Sequence, residues 1–139
     1  MILLAIVELP VNVLPPFAAV VIVHGSDPVK REMEFAKRLA KEGIAVLTYD
    51  KRGVGESGGV YVGPSVGTNN IDTANLNLLS SDANAAVNTF RTYLKDKKIP
   101  IGLVGFSQAG WIIPIAANKN PQIEFMVLFS CPTITTLEQ

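Results

Sequence analysis

The sequence contains only one cysteine, Cys131, and only one histidine, His24, among its 139 residues. A single cysteine excludes an internal disulfide, and one cysteine with one histidine excludes a structural zinc site built from a cluster of these ligands. Twelve basic and twelve acidic side chains give a net charge of zero, so no excess of positive charge is available for phosphates. We therefore expect no bound metal, no nucleic-acid partner and no cofactor.

A long uninterrupted hydrophobic run is also missing. The first 23 residues are mostly apolar, but Glu8, Asn12 and prolines at positions 10, 15 and 16 interrupt them. A transmembrane helix needs ~20 consecutive apolar residues, so this segment is too broken to span a membrane. No basic residue precedes it and no small-residue cleavage site is evident, which argues against a signal peptide. We expect no membrane partner and take the cytoplasm as the default compartment.

What the sequence does contain is a regular alternation of strand and helix patterns. With 139 residues, 48% of them hydrophobic, the chain has the size of one domain over residues 1–139. The segment Ser26-Asp27-Pro28 is suited to begin a first helix, which Gly43 would end. The expected strands cover residues 1–9, 18–24, 44–49, 101–106 and 125–129, and two further helices cover 76–94 and 108–118. This order predicts an α/β fold, a three-layer α/β/α sandwich with a mainly parallel sheet.

In such a sheet, ligands bind beyond the carboxyl ends of the strands. The residues expected there are His24-Gly25-Ser26, Asp50 to Gly53, Ser107, and Ser130-Cys131. A long, glycine-rich loop over residues 53–73 follows one of these ends and is typical of a functional face. The functional residues should therefore be found among these positions first.

Two glycine-rich motifs lack the context that their chemistry requires. Gly53-Val-Gly55-Glu-Ser-Gly58 matches a dinucleotide fingerprint, but no helix pattern follows it to direct backbone amides at a pyrophosphate. A nucleotide site would require a helix that begins near Ser57. Residues 63–67 match Gly-x-Ser-x-Gly at Ser65, but neither a strand precedes nor a helix follows this serine.

Residues 105–110, Gly-Phe-Ser-Gln-Ala-Gly, place Ser107 between a strand pattern and a helix pattern. A buried strand precedes the serine and a helix follows it, as in a sharp strand-to-helix turn that exposes a nucleophilic hydroxyl. A structural alternative is that Ser107 only caps the helix. Trp111, one turn into this helix, is either a core aromatic or a wall of an acyl pocket.

The sequence resembles the α/β-hydrolase superfamily in three segments, residues 16–26, 49–57 and 105–111, which have the order and spacing of that superfamily. It is most similar to bacterial serine esterases and acyl-peptidase-like members related to dienelactone hydrolase and prolyl oligopeptidase. The resemblance extends from about Leu4 to about Pro132. It implies a serine hydrolase that acts on an ester, thioester or peptide-like bond of a small-molecule acyl substrate.

The resemblance also implies roles for individual residues. Ser107 would be the nucleophile, and the backbone amides of Gln108 and Ser26 would donate hydrogen bonds to the oxyanion. Asp50 and Arg52 would brace the loop that follows their strand. Ser57 is more simply a turn hydroxyl that bonds its neighbouring backbone.

The sequence departs from the superfamily after Ser107, where a triad would continue with an acid and a histidine. Only Glu124 and Glu138 follow, with no Asp and no His among the 139 residues. From the resemblance we also expect that a first strand of the usual sheet is missing before Met1. The expectation is a truncated hydrolase. His24 lies near the predicted site, but we expect it to be a neutral side chain that holds its loop through backbone hydrogen bonds.

Without a base, a serine hydroxyl is a weak nucleophile, so we expect a fluorophosphonate probe to label the chain slowly or not at all. Fast labelling that is lost in His24→Ala would instead identify His24 as the base. The alternative function is a non-catalytic α/β-hydrolase-like binding or interaction domain. Sequence past Gln139 that supplies an Asp and a His would favour the enzyme. An unpaired strand at residues 125–129 further predicts homo-oligomers formed through the sheet edge.

Overall fold

A computed structural model describes residues 1–133 of the chain. A five-stranded sheet forms its centre, with three α-helices packed on it. In chain order the elements are β1 (Ala5–Glu8), β2 (Ala18–Val23), α1 (Met33–Lys41), β3 (Ile44–Tyr49), α2 (Thr73–Leu94), β4 (Ile101–Phe106), α3 (Ala109–Lys119) and β5 (Phe125–Phe129).

The strands lie in the order β1-β3-β2-β4-β5. All neighbouring pairs are parallel except β1 and β3, which are antiparallel. The register pairs Val23 of β2 with Gly105 of β4, and Phe106 of β4 with Phe129 of β5. The carboxyl ends of three adjacent strands therefore meet at one edge of the sheet, as the sequence predicts.

Both faces of the sheet are covered by helices, which confirms the predicted three-layer α/β/α sandwich. Val21 and Leu103 face α2 and α3, in a core cluster that also contains the fully buried Phe90. Val20 and Ile22 face the opposite way and pack with Ala36 of α1. Because successive side chains of a strand point to opposite faces, β2 needs apolar residues at nearly every position.

The first helix begins later than the sequence predicts. The Ser26-Asp27-Pro28 segment does not start α1, which begins at Met33. The amides of Arg31 and Glu32 instead donate to side chains at the end of β3, to Asp50 Oδ1 at 2.9 Å and Thr48 Oγ1 at 2.8 Å. These long-range bonds hold the preceding segment against the sheet and delay the helix. A local capping pattern cannot reveal them.

The first strand is shorter than the predicted residues 1–9. It begins at Ala5, opposite Tyr49, the last residue of β3, because its partner strand stops there. The residues before it bind the glycine-rich loop: Leu4 N donates to Ser57 Oγ at 2.9 Å, and Gly58 N donates to Ile2 O at 2.8 Å. The start of the chain thus covers this loop.

The loop after β3 runs to α2 as predicted and contains a short 3₁₀ turn at Pro64–Val66. Asp72 ends it by accepting a hydrogen bond from Asn75 N at 3.4 Å, which places the start of α2 at Thr73. The helix at Ser107 begins at Ala109, one residue later than predicted. Within residues 1–133, no helix combines the length and the apolar character needed to cross a bilayer.

Candidate active site

The turn between β4 and α3 is centred on Ser107, whose backbone has a φ of 51°. This left-handed conformation costs a non-glycine residue energy, of order 1–3 kcal/mol, and has to be maintained by its surroundings. Ser107 N donates to Phe129 O at 3.2 Å, and Ser107 O accepts from Gly110 N at 2.9 Å. The turn leaves Ser107 exposed while the next residue, Gln108, is buried.

Small residues on both sides of Ser107 allow this tight turn. A β-carbon on Gly105 would lie 2.7 Å from Val23 O and would also overlap the side chain of Ala109. A β-carbon on Gly110 would lie 2.5 Å from Cβ of Cys131. The close approach of strand, helix and the segment after β5 therefore depends on glycine at positions 105 and 110.

Ser107 opens into a cleft of about 520 Å³. Its walls come from the loop before α2, from the start of α3 and from the segment after β5. The described residues that line it are Asn69, Asn70, Ile71, Ser107, Gln108, Trp111, Ser130, Cys131 and Pro132. Trp111 both packs against the hydrophobic core and forms part of this wall, so the two interpretations of its sequence position are compatible.

His24 is buried at the end of β2 and contacts β3. Its Nε2 lies 2.6 Å from Tyr49 O, and its ring packs edge-on against the Tyr49 ring, with 4.7 Å between centroids. Burial, with a smaller contribution from the Lys51 charge, lowers the pKa of His24 to about 4, although the hydrogen bond to the Tyr49 backbone opposes this. His24 is not among the described residues that line the Ser107 cleft. Its imidazole is therefore neutral near pH 7, and its Nε2 is hydrogen-bonded to the backbone of β3.

Asp50 directly follows β3 and has a fully buried side chain. Its Oδ1 accepts from Arg31 N at 2.9 Å and Arg31 Nε at 3.1 Å, and its Oδ2 accepts from Glu56 N at 2.9 Å. Burial alone would raise the pKa of this carboxyl, but the two backbone amides and the Arg31 guanidinium reverse the effect and hold the pKa below its usual range. The carboxylate thus ties the glycine-rich loop to the segment before α1.

Two neighbouring residues complete this attachment. Ser57 Oγ donates to Asp50 O at 2.6 Å and accepts from Leu4 N, so it is a turn hydroxyl bound to backbone on both sides. Arg52 forms two bonds to Asp82 of α2, at 2.9 Å and 2.7 Å. Asp50 therefore braces the loop itself, whereas Arg52 links the loop to a helix.

Lys51, between Asp50 and Arg52, is a buried residue that no sequence motif singles out. Its side chain is fully buried, and Nζ donates to Gly25 O at 2.7 Å and Gln108 Oε1 at 3.1 Å. Burial lowers the pKa of Lys51 to about 8, and the charge of Asp27 partly opposes this. The only sequence signal for a buried Lys51 is its place between an Asp and an Arg just after a buried strand.

Ser26 and Gln108 belong to the two backbone segments next to Ser107, the loop after β2 and the start of α3. A β-carbon built on Gly25 would lie 3.7 Å from Ser107 Cβ, so the loop after β2 passes next to the serine. Ser26 O accepts from Tyr61 Oη at 2.6 Å. The Gln108 side chain donates through Nε2 to Asn70 O and accepts from Lys51, which fixes it between two loops.

The remaining sequence motifs lie away from this cleft. Ser65 is exposed in the 3₁₀ turn, without a strand before it. No helix begins near Ser57, so the condition for a nucleotide site at residues 53–58 is not met. Glu124 precedes β5, at the opposite end of that strand from the cleft, where it pairs with Arg91 at 3.6 Å. Glu138 lies outside the described residues.

Within residues 1–133, no group of three or more His, Cys, Asp and Glu side chains could hold a metal ion. Of the described acid–base groups in this region, the His24 imidazole is bound to Tyr49 O, the Lys51 ammonium is bound to Gly25 O and Gln108 Oε1, and the Cys131 thiol lines the cleft. Burial raises the pKa of the Cys131 thiol despite nearby backbone amides.

The sheet order, the covering helices and the serine at a strand-to-helix turn define an α/β hydrolase. The family model described as serine aminopeptidase, S33, matches residues 15–138. The chain therefore belongs to the S33 serine aminopeptidase family of α/β hydrolases. No curated protein sequence matches it.

Solved structures show the same fold. Est1E from Butyrivibrio proteoclasticus, solved with ferulic acid, is 23% identical, with a TM-score of 0.64 over 89% of this chain and 47% of that one. A dienelactone hydrolase from Anabaena variabilis is 19% identical, with a TM-score of 0.66 over 93% of this chain and 57% of that one. A cold-adapted esterase from an Arctic intertidal metagenomic library is 21% identical, with a TM-score of 0.62 over 89% and 53%. The chain spans about half the length of these proteins.

Proposed function

We propose that this chain carries the nucleophile half of a serine hydrolase that cleaves ester, thioester or peptide-like acyl bonds. The observation that supports this most strongly is the left-handed conformation of Ser107 at the mouth of a cleft. A strained, exposed serine between a buried strand and a helix is what acyl transfer requires, and helix capping does not require it. Esterases among the structural neighbours support the same class of substrate.

The proposed chemistry begins with attack of Ser107 Oγ on the carbonyl carbon of the acyl substrate. Electrons move to the carbonyl oxygen, and the amides of Gln108 and Ser26 stabilise this oxyanion. Such donors are worth ~3–4 kcal/mol each in the transition state. The leaving group departs with the serine proton, and water then hydrolyses the acyl-serine ester to regenerate Ser107.

The proposal includes low activity of the 139-residue chain by itself. A hydrolase of this type needs a base to take the serine proton, and His24 is held by Tyr49 O. Losing the histidine of a triad leaves ~10³–10⁴-fold acceleration over water, from the oxyanion donors and binding alone. Slow acylation is therefore the expected behaviour.

A fluorophosphonate probe with mass spectrometry tests this function. We expect slow phosphonylation that maps to Ser107 and disappears in Ser107→Ala. Ser65→Ala is the matched control, because Ser65 sits in the other Gly-x-Ser-x-Gly match and should leave the rate unchanged. His24→Ala should also leave the slow labelling in place. Fast labelling that His24→Ala abolishes would contradict this account of His24.

A second function is supported by the exposed strand β5, in which Met126 to Phe129 are each 38–48% exposed. This apolar edge suits a non-catalytic interaction domain. Absence of labelling at Ser107 after long exposure at alkaline pH, where hydroxide can replace the missing base, would favour that function over hydrolysis.

A further inference from the structure

Lys51 joins the two backbone segments that flank Ser107. Its Nζ lies 2.7 Å from Gly25 O in the loop after β2 and 3.1 Å from Gln108 Oε1 at the start of α3. The side chain is only 2% exposed, and the ammonium lies 5.5 Å from the centre of the Tyr61 ring. Burying a lysine among neutral acceptors costs several kcal/mol, so an apolar residue would be the simpler choice for stability alone.

The bond to Gly25 O acts directly on Ser26. Gly25 C=O and Ser26 N–H belong to one planar trans peptide, in which the two groups point in opposite directions. A cation that holds the oxygen therefore fixes the direction of the Ser26 N–H. It also draws electron density toward the oxygen, which makes the N–H a stronger hydrogen-bond donor.

The neighbouring bonds restrict the same region further. Tyr61 Oη donates to Ser26 O at 2.6 Å, so the peptides before and after the Ser26 Cα are both held by the loop that follows β3. On the other side, Gln108 is bound between Lys51 Nζ and Asn70 O. One ammonium thus binds both the peptide that carries the Ser26 N–H and the side chain of Gln108, and the proposed mechanism uses the backbone amides of these two residues.

We propose that Lys51 is a positioning residue that orients the Ser26 and Gln108 amides as a pair around Ser107. This inference rests on the proposed function only for its catalytic consequence. Lys51 is not a base or nucleophile for the substrate, because its hydrogen bonds are made to Gly25 and Gln108.

The charge of Lys51 offers a way to test this role. The groups that interact with its ammonium are Asp27 before α1, the neutral His24 after β2 and the Tyr61 ring, and Asp50 precedes it in the chain with its carboxylate bound to Arg31 and Glu56 N. Desolvation outweighs the attraction of Asp27 and lowers the pKa of Lys51 to about 8. The ammonium is therefore charged at pH 7 and loses its proton at mildly alkaline pH, where the polarisation of Gly25 O should weaken.

Amide NMR of the ¹⁵N-labelled 139-residue chain measures this directly. We expect the Ser26 and Gln108 amide resonances to shift with pH with a midpoint near 8. Lys51→Arg, which stays charged, should abolish that transition, and Lys51→Met should hold both amides at shifted positions at every pH. Lys30→Met, at an exposed lysine, is the control and should reproduce the wild-type titration. Unchanged Ser26 and Gln108 resonances in Lys51→Met would overturn the proposal.

Fluorophosphonate labelling measures the consequence for chemistry. Lys51→Met should lower the limiting labelling rate by roughly 10–100-fold, somewhat less than direct loss of an oxyanion donor, with little change in the half-saturating probe concentration. Lys51→Arg should recover much of that rate, which a general loss of packing would not predict. Thermal unfolding shows whether Lys51→Met is folded. If it is not, the NMR titrations of wild type and Lys51→Arg still test whether Lys51 orients the two amides.

The two proposals fail in different ways. If Ser107 is labelled equally fast in wild type and in folded Lys51→Met, the catalytic role of Lys51 is refuted and the proposed function stands. If Ser107 is never labelled, the proposed function of this chain fails, and the NMR titration alone decides whether Lys51 orients the two amides.

Discussion

The two sides of the Ser107 cleft are built differently. On the side of β2 and β3, buried charged groups hold each loop: Asp50, Lys51 and Arg52 bind three separate segments. On the side of β5, the strand is apolar and exposed, and the Ser107 amide donates a hydrogen bond to Phe129 O. One side of the cleft is therefore fixed in advance, whereas the other presents an uncovered sheet edge.

The difference shows that an apolar strand pattern can belong either to a buried central strand or to an exposed edge strand. The runs in β2 and β5 are similarly hydrophobic, but β2 has a strand on each side and helices on both faces, and nearly all of it is buried. Strand β5 has one neighbour and remains exposed at most positions. An exposed apolar edge strand is a template for association with another strand.

The largest expected effect comes from removing the carboxylate on the fixed side. Asp50→Ala leaves Arg31 and two amides without their acceptor, so we expect a loss of about 3–5 kcal/mol in the free energy of unfolding. Glu34→Ala, at an exposed carboxylate in α1, should change it by less than about 0.5 kcal/mol. Urea unfolding measures both, and a small effect of Asp50→Ala would show that this side is less tightly fixed than its contacts indicate.

The pH dependence of stability tests the buried imidazole on the same side. The pKa of His24 is about 4 in the folded chain and near 6.5 when unfolded, so the unfolded chain binds the proton more readily. Stability should therefore fall as pH decreases from 6.5 to about 4, by on the order of 3 kcal/mol, and be unaffected by this group above pH 6.5.

His24→Asn separates this contribution from that of the carboxylates. The variant should be less stable at pH 7 but lose less stability than wild type over the acid window. Parallel pH curves for the two chains, obtained from urea unfolding, would mean that His24 is not held neutral by burial.

The smallest effect on stability, but a visible one on association, is expected on the exposed side. We expect the chain to self-associate through the β5 edge at tens of micromolar, a concentration typical for exposed edges. Val127→Lys places like charges opposite each other in such a pair and should shift the chain to monomer in sedimentation. Leu78→Lys, at an exposed leucine of α2, is the control and should not. A monomeric wild-type chain would contradict the edge interpretation.

The sequence predicts most of the fold because strand and helix patterns are local. The buried runs, the glycine-rich loop and the serine between strand and helix all follow from spacing along the chain, and the structure confirms the layered sheet. The predicted start of α1 was wrong because the amides of Arg31 and Glu32 bind side chains near the end of β3. No local sequence pattern contains these contacts.

By itself the sequence determined the fold class, the position of Ser107 between a strand and a helix, and the absence of an Asp or His after it. Only the tertiary structure decided that His24 binds Tyr49 O, that Trp111 serves both core and cleft, and that Lys51 joins Gly25 to Gln108. The physical reason is the separation along the chain over which each kind of interaction acts. Strand and helix patterns arise within a few residues, whereas the hydrogen bonds of buried polar groups are made with whichever segment the fold brings next to them.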